Sequence, residues 1–260
     1  MSHFVEIRGL RIGEGIPKIC VPISERTQEE ILAAAVSIRE EPFDMIEWRA
    51  DWYNDVEEPQ QVRETLKILH DVFGRSPVLF TLRTEREGGM ASPGEESYRE
   101  ILREAASSGL ADLVDVELFS GDETVREVVS AAHGSGTRVI ASSHDFESTP
   151  SEDEIIRRLC RMEELGADIL KIAVMPKNRE DVLTLLSATE KMTRLHPDHP
   201  VISMAMGELG LISRVSGETF GSAVTFGAVG KASAPGQIEA SVLSRILHDL
   251  HVGMEPRNDR

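Results

Sequence analysis

Within the apolar run DILKIAV, residues 168–174, one charged residue stands among Ile, Leu, Ala and Val. A lysine inside a packed strand needs a partner or a chemical use. Three roles fit Lys171. Its stem can be buried while its head pairs with a carboxylate. It can serve as a point charge for a phosphate. It can also condense with a carbonyl as a Schiff-base nucleophile. That third role needs a neutral amine. Bringing an ordinary lysine from ~10.4 to near 7.5 takes roughly 4 kcal/mol, which burial and neighbouring arginines supply. His144, in SSHDF, ends the preceding apolar run. Adjacent parallel strands lie about 4.8 Å apart, so both side chains can reach one substrate. A histidine beside an imine is suited to moving protons near neutral pH. In TLRTEREGG, Glu85 and Glu87 are each placed to orient or tune a histidine, and spacing does not separate them.

These residues need a scaffold that brings strand ends together. Short runs rich in Val, Ile and Leu recur at 18–23, 43–49, 77–83, 112–118, 137–143, 168–174, 200–206 and 222–229. Such runs suit buried parallel strands. Amphipathic stretches lie between them. TQEEILAAAVSIREE opens on a Thr cap with acidic residues behind it. Ser151 and Glu154 have capping-box spacing. Several other stretches end in Gly. ELGLISRVSGETFG is the helical segment expected after the seventh run. About eight strand–helix units over this length predict a (β/α)₈ TIM barrel of the α/β class. A doubly wound sheet would carry a Gly-rich turn after its first strand, and SERTQEE is no such turn.

The chain is expected to be one barrel domain over residues 1–260. Residues up to about 15 are expected to form a hairpin closing the barrel's bottom. A polar tail is expected from about 253 to 260. Barrel active sites lie at the C-terminal ends of the strands. There the sequence places Glu47, Arg49, Arg83, Glu117, His144, Lys171 and the loop KASAPGQ, with Arg214 after the seventh run.

The net charge is −17 and the pI about 4.9. That excludes a basic nucleic-acid footprint and means an anionic substrate must find local cations. No apolar run reaches the ~18 residues of a membrane span. No signal-peptide core is present in MSHFVEIRGL, and the expected location is cytoplasmic. Cys20 and Cys160 are far apart, lack metal or redox spacing, and are expected to be reduced and packed. HPDH, residues 196–199, carries two histidines with no further ligand nearby in sequence and reads as structural. FGAVGKASAPG has Thr225 and Ala232 where a phosphate loop needs Gly and Ser or Thr, so it is not one. Met204 and Met206 alternate in a strand and read as barrel lining.

EWR at 47–49, TLRTEREGG at 81–89, SSHDF at 142–146, KIAVMP at 171–176, ISR at 212–214 and FGAVGKASAPGQ at 226–237 together resemble type I 3-dehydroquinate dehydratase. The likeness spans residues 5 to 252. It implies a homodimeric (β/α)₈ barrel without metal or organic cofactor. It implies that a small molecule, 3-dehydroquinate, is converted to 3-dehydroshikimate through a lysine imine, as in the shikimate pathway. By motif, Lys171 resembles the imine lysine, His144 the proton-transfer residue and Glu87 the acid assisting it. Arg214 resembles the clamp on the substrate carboxylate, and Ser233 and Gln237 the loop contacts. Glu47, Arg49 and Arg83 resemble the ligands of the ring hydroxyls. The 230–237 loop is expected to act as the lid. Family members often have Asn before HDF. This chain has Ser143, so no hydrogen bond from that position is implied. Two alternatives remain on the residues themselves: another Schiff-base barrel such as an aldolase, and a non-catalytic barrel that binds a small acid.

Overall fold

The computed structural model describes residues 4–230 and 233–255. Strands β1 (Val5–Ile7) and β2 (Leu10–Ile12) form an antiparallel hairpin. Eight strands then follow: β3 (Lys18–Ile23), β4 (Met45–Arg49), β5 (Val78–Thr81), β6 (Leu113–Glu117), β7 (Arg138–Asp145), β8 (Ile169–Val174), β9 (Val201–Ala205) and β10 (Val224–Ala228). All are parallel, in order β10-β3-β4-β5-β6-β7-β8-β9, and a two-residue β11 (Ile238–Glu239) adds beside β10. The sheet curls until its ends meet. Val201 bridges Ser222, and the Ala223 N–H donates to the Val201 carbonyl at 2.7 Å. The expected (β/α)₈ barrel is the observed architecture.

Nine helices lie among the described residues: α1 (Gln28–Ile38), α2 (Pro59–Phe73), α3 (Glu95–Ser107), α4 (Asp122–Ser135), α5 (Glu152–Glu164), α6 (Arg179–Leu195), α7 (Leu211–Val215), α8 (Gly217–Phe220) and α9 (Ala240–Met254). Thr27 and Glu30 make both halves of a capping box on α1. The box expected at Ser151 is half made. Its hydroxyl accepts from the Glu154 N–H, while the Glu154 carboxylate is taken by Arg157 and Arg158. The single helix expected after β9 is two short ones. They break at Ser216–Gly217, where a Cβ on Gly217 would stand 2.5 Å from the Ser222 carbonyl oxygen. The expected tail starts later than 253, because α9 runs to Met254; residues 256–260 and 1–3 lie outside the described ones.

Side chains alternate along each strand, and the barrel core is read directly from that period. Outward residues such as Trp48, Phe80, Val114 and Leu170 pack under the helices. Inward residues form a separate cluster that includes Met45, Leu79, Leu113, Ile140, Ile169 and Ile202. Ile7 and Ile12 of the hairpin belong to this inner cluster, so the hairpin closes the bottom as expected. Two residues further along the same faces stand Glu47, Thr81, Asp115, Ser142 and Lys171. One more step reaches Arg49, Arg83, Glu117 and His144. The interior is therefore apolar below and ionic above, and all nine of these groups are buried or nearly so.

The fold also revises one expectation. His196 and His199 were expected to have no other ligand-type residues nearby, yet α5 brings Cys160 and Glu163 beside them. Residues 36 positions apart meet because α5 and α6 are neighbours on the barrel's outside.

Candidate active site

The mouth of the barrel holds a cavity of about 180 Å³. It is lined by Lys171, His144, Glu87, Glu47, Arg49, Arg83, Arg214, Ser233 and Gln237. Every residue singled out by motif thus meets on one cavity, although they come from four strand ends (β4, β5, β7 and β8), the turn after β5, helix α7 and the loop after β10.

Lys171 lies inside β8 because period two turns it inward between Ile169 and Ala173. Its ammonium is 3% exposed as a residue and lies 3.0 Å from Asp115 Oδ2 and 3.5 Å from Glu47 Oε1. The Phe226 ring stands 4.7 Å away on another side. The resting lysine is therefore an ion-paired cation against an aromatic wall. Asp115 is held in turn by Arg83 at 2.8 Å and by the Ser142 hydroxyl at 2.6 Å. Burial works to raise the Asp115 carboxyl, but the charges of Arg83 and Lys171 win and hold it well below the usual carboxylate range. Glu47 also accepts the Thr81 hydroxyl at 3.0 Å.

His144 sits one inward step above Lys171, since Ser142 is the residue paired with Lys171 across β7 and β8. Its Nδ1 is 2.7 Å from Glu87 Oε2, and the same oxygen accepts the His144 backbone N–H at 3.0 Å. An oxygen already accepting one N–H favours Nδ1 as a second donor, which leaves Nε2 with its lone pair. Burial, then Arg83 and Lys171, hold His144 well below its ordinary value, so the imidazole is neutral at pH 7. Burial pushes Glu87 up to about 8, against the pull of Arg83.

The Glu-Gly-Gly sequence explains how Glu87 is aimed. Gly88 closes a tight turn over Glu85–Glu87 with φ +79°, and a Cβ there would overlap the Phe146 ring at 2.2 Å. A Cβ on Gly89 would stand 2.1 Å from the Arg83 carbonyl oxygen. Two side-chain-free positions let the loop fold under His144. Glu85, two residues earlier, is exposed, so the structure separates the two acids that spacing left equivalent.

The remaining cations differ in how well they are satisfied. Arg49 forks onto Asp51 at 2.7 and 2.8 Å. Arg83 meets Asp115 and Glu117. Arg214 has no carboxylate partner among the described residues. Its Nη2 donates to the Pro235 carbonyl at 2.9 Å, while buried Nε and Nη1 have no acceptor. Burial pulls this guanidinium down to about 10, still a full cation at pH 7. A buried guanidinium edge with two unpaired donors has the geometry to take a carboxylate. Beside it Gln237 and Ser233 bond one another, with Gln237 Nε2 donating to Ser233 Oγ at 3.0 Å. Of the loop expected as a lid, Lys231 and Ala232 lie outside the described residues. Ser143 faces away from the cavity, and its Oγ accepts from Arg158 of α5.

Asp115, Ser142, Asp51 and Phe226 join the site without having been singled out. Asp115 was legible in principle. It alternates with Leu113 and Glu117 in one strand, which puts it on the inward face with Glu117.

The profile of the type I 3-dehydroquinase family matches residues 19–254. A 3-dehydroquinate dehydratase from Clostridioides difficile is 47% identical over 251 residues, 96% of this chain and 98% of that protein. One from Salmonella agona is 47% identical over 95% of this chain and 98% of its own length. The C. difficile crystal structure, which carries covalently modified comenic acid, superposes with a TM-score of 0.95 at 46% identity, covering 98% and 100% of the two chains. The Geobacillus kaustophilus dehydratase gives 0.93 at 38% identity, covering 97% of this chain and 98% of that one. With the fold, the cavity and these likenesses in agreement, the chain belongs to the type I 3-dehydroquinase family of hydro-lyases.

Proposed function

We propose that this chain converts 3-dehydroquinate to 3-dehydroshikimate and water through an imine on Lys171, in the shikimate route to aromatic compounds. The observation that carries the reading is a buried lysine at the closed end of a cavity that also holds a neutral histidine.

The substrate is a β-hydroxy ketone bearing a carboxylate. Arg214 binds the carboxylate with its two unpaired donors, which offsets the chain's negative field locally. Lys171 passes a proton to a neighbouring base and adds its lone pair to the carbonyl carbon. The carbinolamine loses its oxygen as water and becomes a protonated imine. His144 Nε2 then takes the proton on the carbon next to the imine, and the electron pair moves to nitrogen as an enamine. The pair returns to expel the β-hydroxyl, which leaves as water with the proton His144 carried. Hydrolysis of the conjugated imine frees product and restores the Lys171 amine. The imine nitrogen is the electron sink. Proton transfer by a positioned base contributes about 10²–10⁴-fold. Glu87 keeps His144 oriented and shares its proton. Glu47, Arg49 and Arg83 offer polar contacts for the ring hydroxyls, with Ser233 and Gln237 covering the mouth. By the same likeness, the working form is a cytoplasmic homodimer.

The test is chemical trapping. The protein is mixed with 3-dehydroquinate, reduced with borohydride and mapped by peptide mass spectrometry. One adduct on Lys171 is the expected result. Turnover without any adduct would refute the imine and point to an enolate route, with Lys171 a structural charge.

A further inference from the structure

Far from the mouth, three residues with metal-binding donors converge on the outside of the barrel, with a fourth beside them. Cys160 and Glu163 are three apart near the C-terminal end of α5 and share one helix face. His196 caps the end of α6, and His199 follows it by three. Cys160 Sγ, one Glu163 oxygen and one His196 nitrogen all lie within 4.8 Å of one another. Cys160 Sγ is 3.8 Å from His196 Nε2, and His199 Nε2 is 3.8 Å from Glu163 Oε1. Ligand atoms around a tetrahedral zinc, with Zn–S of about 2.3 Å and Zn–N of about 2.0 Å, stand about 3.3–3.8 Å apart. The Cys160–His196 separation is at the upper end of that spacing before any ion arrives, and a small rotation of the His196 ring and the Glu163 carboxylate would bring three donors onto one ion. Glu163 Oε2 already bonds His196 Nδ1 at 3.0 Å, so the two side chains are held facing each other. Met192 Sδ lies 3.9 Å from the thiol on its buried side, which adds a soft neighbour.

We propose that Cys160, Glu163 and His196 form a site for a borderline-soft divalent cation of the zinc class, with His199 beside Glu163 as the nearest further donor, which pins α5 to α6. Thiol and imidazole donors select zinc over magnesium or calcium, whose ligands are oxygens. Binding replaces the Cys160 proton, which goes to solvent, with a metal–sulfur bond; no electron is transferred. Both helices end here before entering β8 and β9, so the site lies at the end of the barrel opposite the catalytic mouth. It is an added staple, independent of the chemistry.

The experiment uses the purified, chelator-stripped chain titrated with cobalt(II), a spectroscopic stand-in for zinc. The expected result is a thiolate-to-cobalt charge-transfer band that saturates at one ion per chain and is displaced by zinc. Cys160→Ser should remove the band. His196→Ala should weaken zinc binding by more than about tenfold. Zinc should raise the melting temperature of the parent and leave that of Cys160→Ser unchanged, while kcat and KM of both variants match the parent. Absence of a thiolate band, or zinc binding unchanged in Cys160→Ser, would overturn the proposal. So would zinc that competes with substrate, since that ion would occupy the mouth instead.

Discussion

Replacing Lys171 by methionine should do two separable things: end turnover and strand two buried carboxylates. Methionine keeps the stem volume and removes the charge. The Lys171–Asp115 pair at 3.0 Å is worth about 5 kcal/mol of gross Coulomb attraction at an effective dielectric of ~20. Desolvation offsets much of that. Removing one partner of a buried pair costs about 3–5 kcal/mol, because the other charge stays behind. The lower end applies here. Asp115 retains Arg83 and the Ser142 hydroxyl, and Glu47 retains the Thr81 hydroxyl. A loss of about 3 kcal/mol follows. Adding Asp115→Asn removes the stranded charge, and Arg83 keeps Glu117 at 3.0 Å. The double variant should then be less unstable than the sum of the single ones, with a coupling of at least about 1 kcal/mol. Urea unfolding followed by circular dichroism, with a dehydration assay on the same samples, measures both effects. Lys171→Met as stable as the parent, or additive changes around the cycle, would refute the ion-paired resting state. More than a few per cent residual turnover would refute the imine.

Glu87→Gln tests the buried carboxyl through pH. The folded group titrates near 8 and the unfolded one near 4.5, so the folded chain holds an extra proton between those values. Its stabilising contribution is complete below about pH 4.5 and is lost as pH rises through about 8. Relative to Glu87→Gln, the parent should lose up to about 5 kcal/mol across that window; a difference independent of pH would show Glu87 ionised throughout. His144 has the opposite sign. Its lowered folded value stabilises above about 6.5 and is lost on acidification, so His144→Gln should flatten the acid limb of unfolding. His144→Ala should also let an imine adduct form and accumulate, which mass spectrometry of the unreduced protein would detect; normal turnover with no accumulation would remove the histidine from proton transfer. Arg214→Ala should raise KM far more than it lowers kcat, and an unchanged KM would place the substrate carboxylate elsewhere.

Much of this was legible in the residues because both governing periods are local. Alternation within DILKIAV, FDMIEWR and DLVDVEL shows which side chains share a face, and eight such runs separated by amphipathic helices specify a barrel. Contacts between distant residues lie beyond those periods. Glu85 and Glu87 have equal chemistry and nearly equal position. The two glycines that follow act through steric contact with Phe146 and the Arg83 carbonyl, which no spacing rule contains. Ser216–Gly217 broke an expected helix for the same kind of reason, a close approach to Ser222.

The amino-acid order by itself determined the fold class, the inward face of each strand and the set of polar residues at the mouth, because neighbours along a chain fix periodicity and caps. Tertiary structure alone decided which charges neutralise which. Asp115 and Lys171 are 56 residues apart, as remote as Glu87 and His144 at 57, and each pair meets only when the barrel closes. Electrostatic character follows from those meetings and from burial. The lysine is paired, the histidine is neutral, and Arg214 alone of the four cations lining the cavity has no carboxylate partner among the described residues. Coulomb energies and desolvation depend on distance through space, and sequence separation carries no measure of that.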